Sequence, residues 1–208
     1  NHAIYCLKLC LFYTMYRYYN TIQYNTLLVT VVSWCDTVTF ITQGLATAYE
    51  QFRDILEVTF VPWGRTVYHA SNDSLTCQFG PADCWANRVH RCALNLLEGN
   101  QDAQVHYMTC EFSPPYPALN QRSYLCAQAA GISLIDLDYC VNTSGRALDA
   151  AAEEAAREPM EVINFVPSIH FNDVPDRPTH DQARTRLSSM ICFALAEIPN
   201  SGVTQCQI

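Results

Sequence analysis

The sequence predicts an α/β (α+β) domain, a small sheet carrying a large helical insertion. Three observations predict it. A strand–helix–strand pattern runs over 27–63, cysteine-rich helical periods follow over about 64–160, and a strand and an amphipathic helix occupy 165–197.

Residues 1–24 hold six of the twelve tyrosines and no acidic residue, with Ile4, Leu7, Leu11, Met15, Tyr18 and Ile22 at helical spacing. They read as an extra N-terminal helix. It packs on the domain or on a second subunit, or else it serves a membrane surface or a partner. Leu27–Ser33 is apolar and β-branched, hence a buried strand. Asp36–Leu56 follows as a helix with the stripe Val38, Ile41, Leu45, Ala48, Phe52 and Ile55, capped by Asp36 or Thr37. Val58–Trp63 is the next strand, ended by Pro62 and Gly64, so the first two strands are parallel.

Trp85–Glu98 reads as a helix and Gln104–Cys110 as a strand. Leu119–Ala130 and Ser133–Cys140 read as short helices, and Ser144–Glu158 as an alanine-rich helix capped by Ser144. Phe165–Phe171 is a strand that begins around Pro167, Asn172–Pro175 a turn, and Thr179–Glu197 a helix opened by a Thr179/Gln182 capping box. This order suits a thioredoxin-like sheet with a helical insertion. It divides the chain into an arm at 1–26, a domain at 27–198 and a tail at 199–208.

The 208 residues suffice for one full core, and half of them are hydrophobic. The net charge of −8 and the lack of any Lys/Arg stripe argue against nucleic acid as a partner. No apolar run reaches the ~18 residues of a membrane-spanning helix, so the chain is not expected to span a membrane. Eleven cysteines without a Cys-x2-Cys pair point to disulfides in an oxidising compartment rather than to zinc. The odd count leaves at least one thiol free or paired between chains. Sequons at Asn72 and Asn142 agree with secretion. His2, His69, His90, His106, His170 and His180 form no two-ligand motif, so no metal and no cofactor is expected.

The most specific stretch is CQFGPADCWANRVHRC, in which Cys77, Gln78, Gly80, Cys84, Asn87 and Cys92 hold fixed spacings. It resembles the signature CQHGxxECxxNxxxxC of the gamma-interferon-inducible lysosomal thiol reductase family. Phe79 stands for that signature's His and Asp83 for its Glu. The likeness covers about 27–198 and includes Val61–Gly64, the MTCEF segment at Cys110, and Cys126, Cys140 and Cys192. It implies a thioredoxin-like fold, disulfide reduction as the family's activity, and a secreted or endolysosomal location. Cys77, Cys84 and Cys92 read as staples of a loop and a helix start, with a redox shuttle as the alternative, and Asn87 as fixing backbone groups in that loop.

The family carries Cys-x-x-Cys where the first strand meets the first helix, and the resemblance places a cis-proline, here Pro167, facing it. A helix N-terminus stabilises the attacking thiolate, and a second cysteine one turn on resolves the mixed disulfide. Here that junction reads Trp34-Cys35-Asp36-Thr37-Val38. Without a gap, the two cysteines fall on Trp34 and Thr37. With a one-residue deletion Cys35 is the first, and Thr37 or Val38 replaces the second. Cys-x-x-Cys survives in neither register, and in this the chain resembles divergent insect members of the family.

Cys35 is then structural, or it is a monothiol that needs an external thiol for release, with Asp36 opposing its thiolate. The expected function is binding of a protein or cell-surface ligand, in immunity or host–parasite contact, by a protein that has lost dithiol reductase activity. The rival is reduction of protein disulfides through Cys35. A third expectation makes 1–24 an oligomerisation element linked through Cys6 or Cys10.

Overall fold

The computed structural model describes residues 25–30, 34–69, 71–72, 74–198, 201–203 and 205–206. The expected N-terminal helix and its Cys6 and Cys10 lie outside them. Strand β1 spans Asn25–Thr30 and β2 spans Leu56–Val61, and they pair in parallel with Val29 opposite Phe60. Between them run α1 (Trp34–Thr39), a π-helical turn (Phe40–Leu45) and α2 (Ala46–Phe52). The Thr42 hydroxyl donates to the Val38 carbonyl at 2.7 Å, a side-chain bond that competes with the helix ladder where the π turn begins. Phe40, Ile41, Leu45 and Ala48 of this run are buried, as the apolar stripe requires.

Strand β5 (Ser168–Phe171) pairs antiparallel with β1, so the described three-stranded sheet has the order β2-β1-β5. It is shorter than the expected 165–171 because Pro167 has no N–H for a ladder. On its free edge β2 meets a side chain: Gln101 accepts from the Val58 N–H at 2.7 Å and donates to the Leu56 carbonyl at 2.8 Å. A hairpin that the sequence reading missed, β3 (Val67–His69) with β4 (Ser74–Thr76), follows β2.

The insertion contains α3 (Pro81–Leu96), α4 (Gln101–Glu111), α5 (Pro117–Gln121), α6 (Leu125–Ala129), α7 (Leu134–Tyr139), a second π turn (Cys140–Ser144) and α8 (Gly145–Val162). Helix α3 starts earlier than expected, because Gly80, at φ 83°, turns the chain and Pro81 opens the first turn.

The expected strand at Gln104–Cys110 is corrected to the helix α4. Its Asn100 cap accepts from Ala103 N at 3.1 Å, and Val105, Met108 and Glu111 recur every third residue on a buried face. Ser144 makes no capping bond, since helical turns already precede α8. Asp176 rather than a Thr179/Gln182 box caps α9 (Arg177–Ala196), accepting from Thr179 N at 2.8 Å.

Helices α3, α4 and α9 pack with the α1–α2 segment and the sheet into one core that includes Val89, Met108, Leu187 and Ile191. Among the described residues no helix is long and apolar enough to cross a membrane.

Candidate functional site

Strand β1 leads at its C-terminal end into α1, whose first turn contains Cys35. Only the backbone of Cys35 is described. The register sets Thr30 opposite Ser168, which brings the cis Val166–Pro167 peptide to the same end of the sheet. Two strands thus deliver the α1 terminus and the proline loop to one edge.

Side chains that sequence reasoning missed join them. Arg184, from α9, places its guanidinium 3.7 Å from the Asp36 carboxylate and 4.7 Å from the centre of the Phe165 ring. Its charge offsets that of Asp36 beside the α1 terminus. Thr37 is completely buried, and its hydroxyl has no partner among the described residues. The Ser168 hydroxyl, next to Pro167, is in the same condition. The described part of this end of the sheet therefore carries two buried hydroxyls, at Thr37 and Ser168, without a partner among the described residues.

A pocket adjoins α1. Val38 forms one wall, Phe79, Asp83 and Asn87 a second, and Glu111 and Phe112 a third. The signature thus folds against the helix that carries Cys35. Asp83 Oδ2 accepts from Phe79 N at 3.2 Å, while Asn87 Nδ2 donates to Asp83 Oδ1 at 3.3 Å. The backbone-fixing role expected of Asn87 therefore belongs to Asp83, and Asn87 holds Asp83.

Burial raises the Asp83 pKa, against the lowering pull of those two donors and of Arg91. Burial also raises Glu111 to about 7, although the Ala118 N–H, donating at 3.0 Å, and the Tyr107 hydroxyl pull it down. His90 Nδ1 lies 3.0 Å from the Tyr107 oxygen, and burial with Arg91 nearby lowers this imidazole to about 3. Glu111 and His90 are therefore both neutral at mildly acidic pH, and no group of metal ligands occurs among the described residues.

Behind the pocket, Arg91 donates to Asp149 at 2.5 Å and to the Pro62 carbonyl, and it stands 5.3 Å over Trp63. Arg88 joins the same carboxylate. This network ties α3 to α8 and to the Val61–Gly64 turn.

Eight cysteines form four described disulfides: Cys77–Cys84, Cys92–Cys140, Cys110–Cys126 and Cys192–Cys206. The first closes the signature loop, and the second anchors α3 to the turn before α8. The last draws in Cys206, which lies outside the stretch that resembled the family. Asn72 is exposed beside the β3–β4 turn, and Asn142 is exposed in the second π turn.

A family model described as gamma interferon inducible lysosomal thiol reductase (GILT) matches residues 26–130. GILT-like protein 1 of Drosophila melanogaster is 31% identical over 173 residues, which cover 76% of this chain and 69% of that protein. A gamma-interferon-inducible lysosomal thiol reductase-like protein of Anopheles gambiae is 29% identical over 179 residues, covering 79% of this chain and 73% of that protein.

Proposed function

Since the chain belongs to the gamma interferon inducible lysosomal thiol reductase family, whose name carries a thiol reductase function, we propose that it is a member in which dithiol turnover at the α1 terminus has been lost. The observation that carries this reading is Thr37. It is fully buried two residues after Cys35, in a helix α1 that holds no second cysteine, and a hydroxyl cannot resolve a mixed disulfide. The same reading takes the β2-β1-β5 sheet as the core of a thioredoxin-like fold. It takes the protein as binding a protein or cell-surface ligand, and as secreted or endolysosomal, acting in immunity or host–parasite contact. Sequons at Asn72 and Asn142 and four disulfides support an oxidising compartment.

The alternative is monothiol reduction through Cys35. It draws support from the position of Cys35 in the first turn of α1 and from Arg184, which offsets Asp36 there. Reduction of a denatured disulfide protein, with a small-thiol reductant, separates the two. The proposal expects the wild type and Cys35→Ser to match the thiol-only blank. It also expects Val38→Cys, which recreates Cys-x-x-Cys from Cys35, to exceed the blank at least tenfold, on the order of what a tethered resolving thiol confers. Wild-type turnover that disappears in Cys35→Ser establishes the monothiol reading instead.

A further inference from the structure

The signature loop has two faces. One supplies Phe79 and Asp83 to the pocket beside α1. The other opens on a separate groove of about 470 Å³ between β4, the start of α3 and the second π turn. That volume suits a ligand of a few residues. Its walls include the Cys77–Cys84 disulfide, Trp85, Arg88 and Arg122, and no carboxylate among the described residues. In a chain of net charge −8, a groove whose described walls carry cationic side chains and no carboxylate is an electrostatic exception, with Arg122 its outward charge. Arg88 is committed to Asp149, whereas Arg122 is exposed, with its guanidinium 6.0 Å over the Trp85 ring.

The two sulfurs differ. Cys77 is 6% exposed, while Cys84, in the first turn of the sixteen-residue α3, is only half-buried and faces this groove. An incoming nucleophile therefore meets Cys84 first. The Thr66 hydroxyl, which donates to the Trp63 carbonyl at 2.5 Å, also lies 3.5 Å from Cys77 Sγ, and it can turn to that sulfur only by giving up the carbonyl.

We propose that this groove binds a small anionic thiol of the glutathione class, which exchanges with the Cys77–Cys84 disulfide. The ligand's thiolate attacks Cys84 Sγ. A mixed disulfide forms, the Cys77–Cys84 bond breaks, and its electron pair leaves on Cys77. A second thiolate attacks the ligand sulfur of the mixed disulfide and releases Cys84 as thiolate, favoured there by the α3 N-terminus. Two ligand thiols are oxidised to one disulfide, two protein thiols are formed, and the ligands' two protons pass to the cysteines. Opening this bond slackens the loop that holds Phe79 and Asp83, so the groove gates the pocket on the other side.

The test incubates the oxidised protein with glutathione, 2-mercaptoethanol or cysteamine at matched thiolate concentration, quenches with acid, alkylates, and maps Cys77 and Cys84 by peptide mass. Glutathione is expected to open Cys77–Cys84 about tenfold faster than the cationic thiol, on the scale of electrostatic steering by an exposed charge. High salt and Arg122→Gln are each expected to close that gap, while the rate with neutral 2-mercaptoethanol stays unchanged and Cys92–Cys140 stays oxidised. Equal rates for the three thiols, or a Cys77–Cys84 bond that persists under all of them, overturn the proposal. Because the readout is the state of this bond, the result stands apart from whether the protein reduces any substrate at α1.

Discussion

The Asp83 carboxylate accepts the backbone N–H of Phe79 at 3.2 Å, so the two positions at which this chain departs from the family signature are bonded to each other. Asp83→Ala removes the acceptor for that N–H and for the Asn87 amide. The expected loss is ~1–3 kcal/mol, the range for a buried donor left without its partner. Urea denaturation measures it, and an unchanged midpoint would show that the loop does not depend on Asp83.

Glu111 sets a pH dependence of known sign. Its folded-state pKa is raised from 4.5 to about 7, so between those values the folded protein holds a proton that the unfolded chain has released. Its contribution is most favourable below 4.5, falls as pH rises, and levels off above about 7. The difference across the window is about 3 kcal/mol. Glu111→Gln is expected to raise the urea midpoint near pH 8 and to leave it almost unchanged near pH 4.5.

Three histidines act in the opposite direction. Burial lowers His90 from 6.5 to about 3, and lowers His170 and His180 to about 4, although Asp173 and Asp181 respectively oppose it. Each is neutral when folded, so each removes stability as pH falls below 6.5. Three such groups outweigh the single Glu111, and stability is expected to be greatest near neutrality and to decline on acidification. Urea midpoints at half-unit pH steps check this. A midpoint that climbs steadily toward pH 5 contradicts it.

Asp149 compensates a buried cation. Arg91 is 5% exposed and depends on Asp149 at 2.5 Å, whereas the Arg88 side chain is 26% exposed. Asp149→Ala is expected to cost ~3–5 kcal/mol, because it leaves Arg91 buried and unpaired. Arg88→Ala should cost less than half as much. Thermal unfolding of the two variants side by side measures the ratio.

Gly145 is required by contact, not by backbone conformation, which is helical at φ −61°. A Cβ there would stand 2.8 Å from the Cys140 carbonyl oxygen and 3.0 Å from Cys92 Sγ. Gly145→Ala is expected to destabilise by ~1–3 kcal/mol, as other overpacked sites do. Chemical denaturation with the disulfides intact provides the measurement.

Local chemistry made part of the molecule readable in advance. The β-branched run before Trp34 and the stripe from Val38 to Phe52 predicted β1, α1–α2 and the parallel β2, because each follows one period. Helix α4 differs from the expected strand because its Asn100 cap lies outside Gln104–Cys110 and its buried face ends in the polar Glu111, which a search for apolar periods passes over. The linear signature and Cys35 were legible as motifs. Arg184, Glu111 and His90 were not, because they reach the α1 region from distant elements and no local spacing marks them. Disulfide partners such as Cys192 and Cys206 likewise became evident only in three dimensions.

Gln101 has a consequence of a different kind. Strand β2 is the outer strand of the described sheet, and its outward N–H and carbonyl groups would ordinarily template the strand of another chain. The carboxamide of Gln101 offers one acceptor and one donor to Val58 and Leu56, as a neighbouring strand would, and so occupies that edge from within. A single side chain thereby takes up two of the backbone groups through which that edge could recruit another strand.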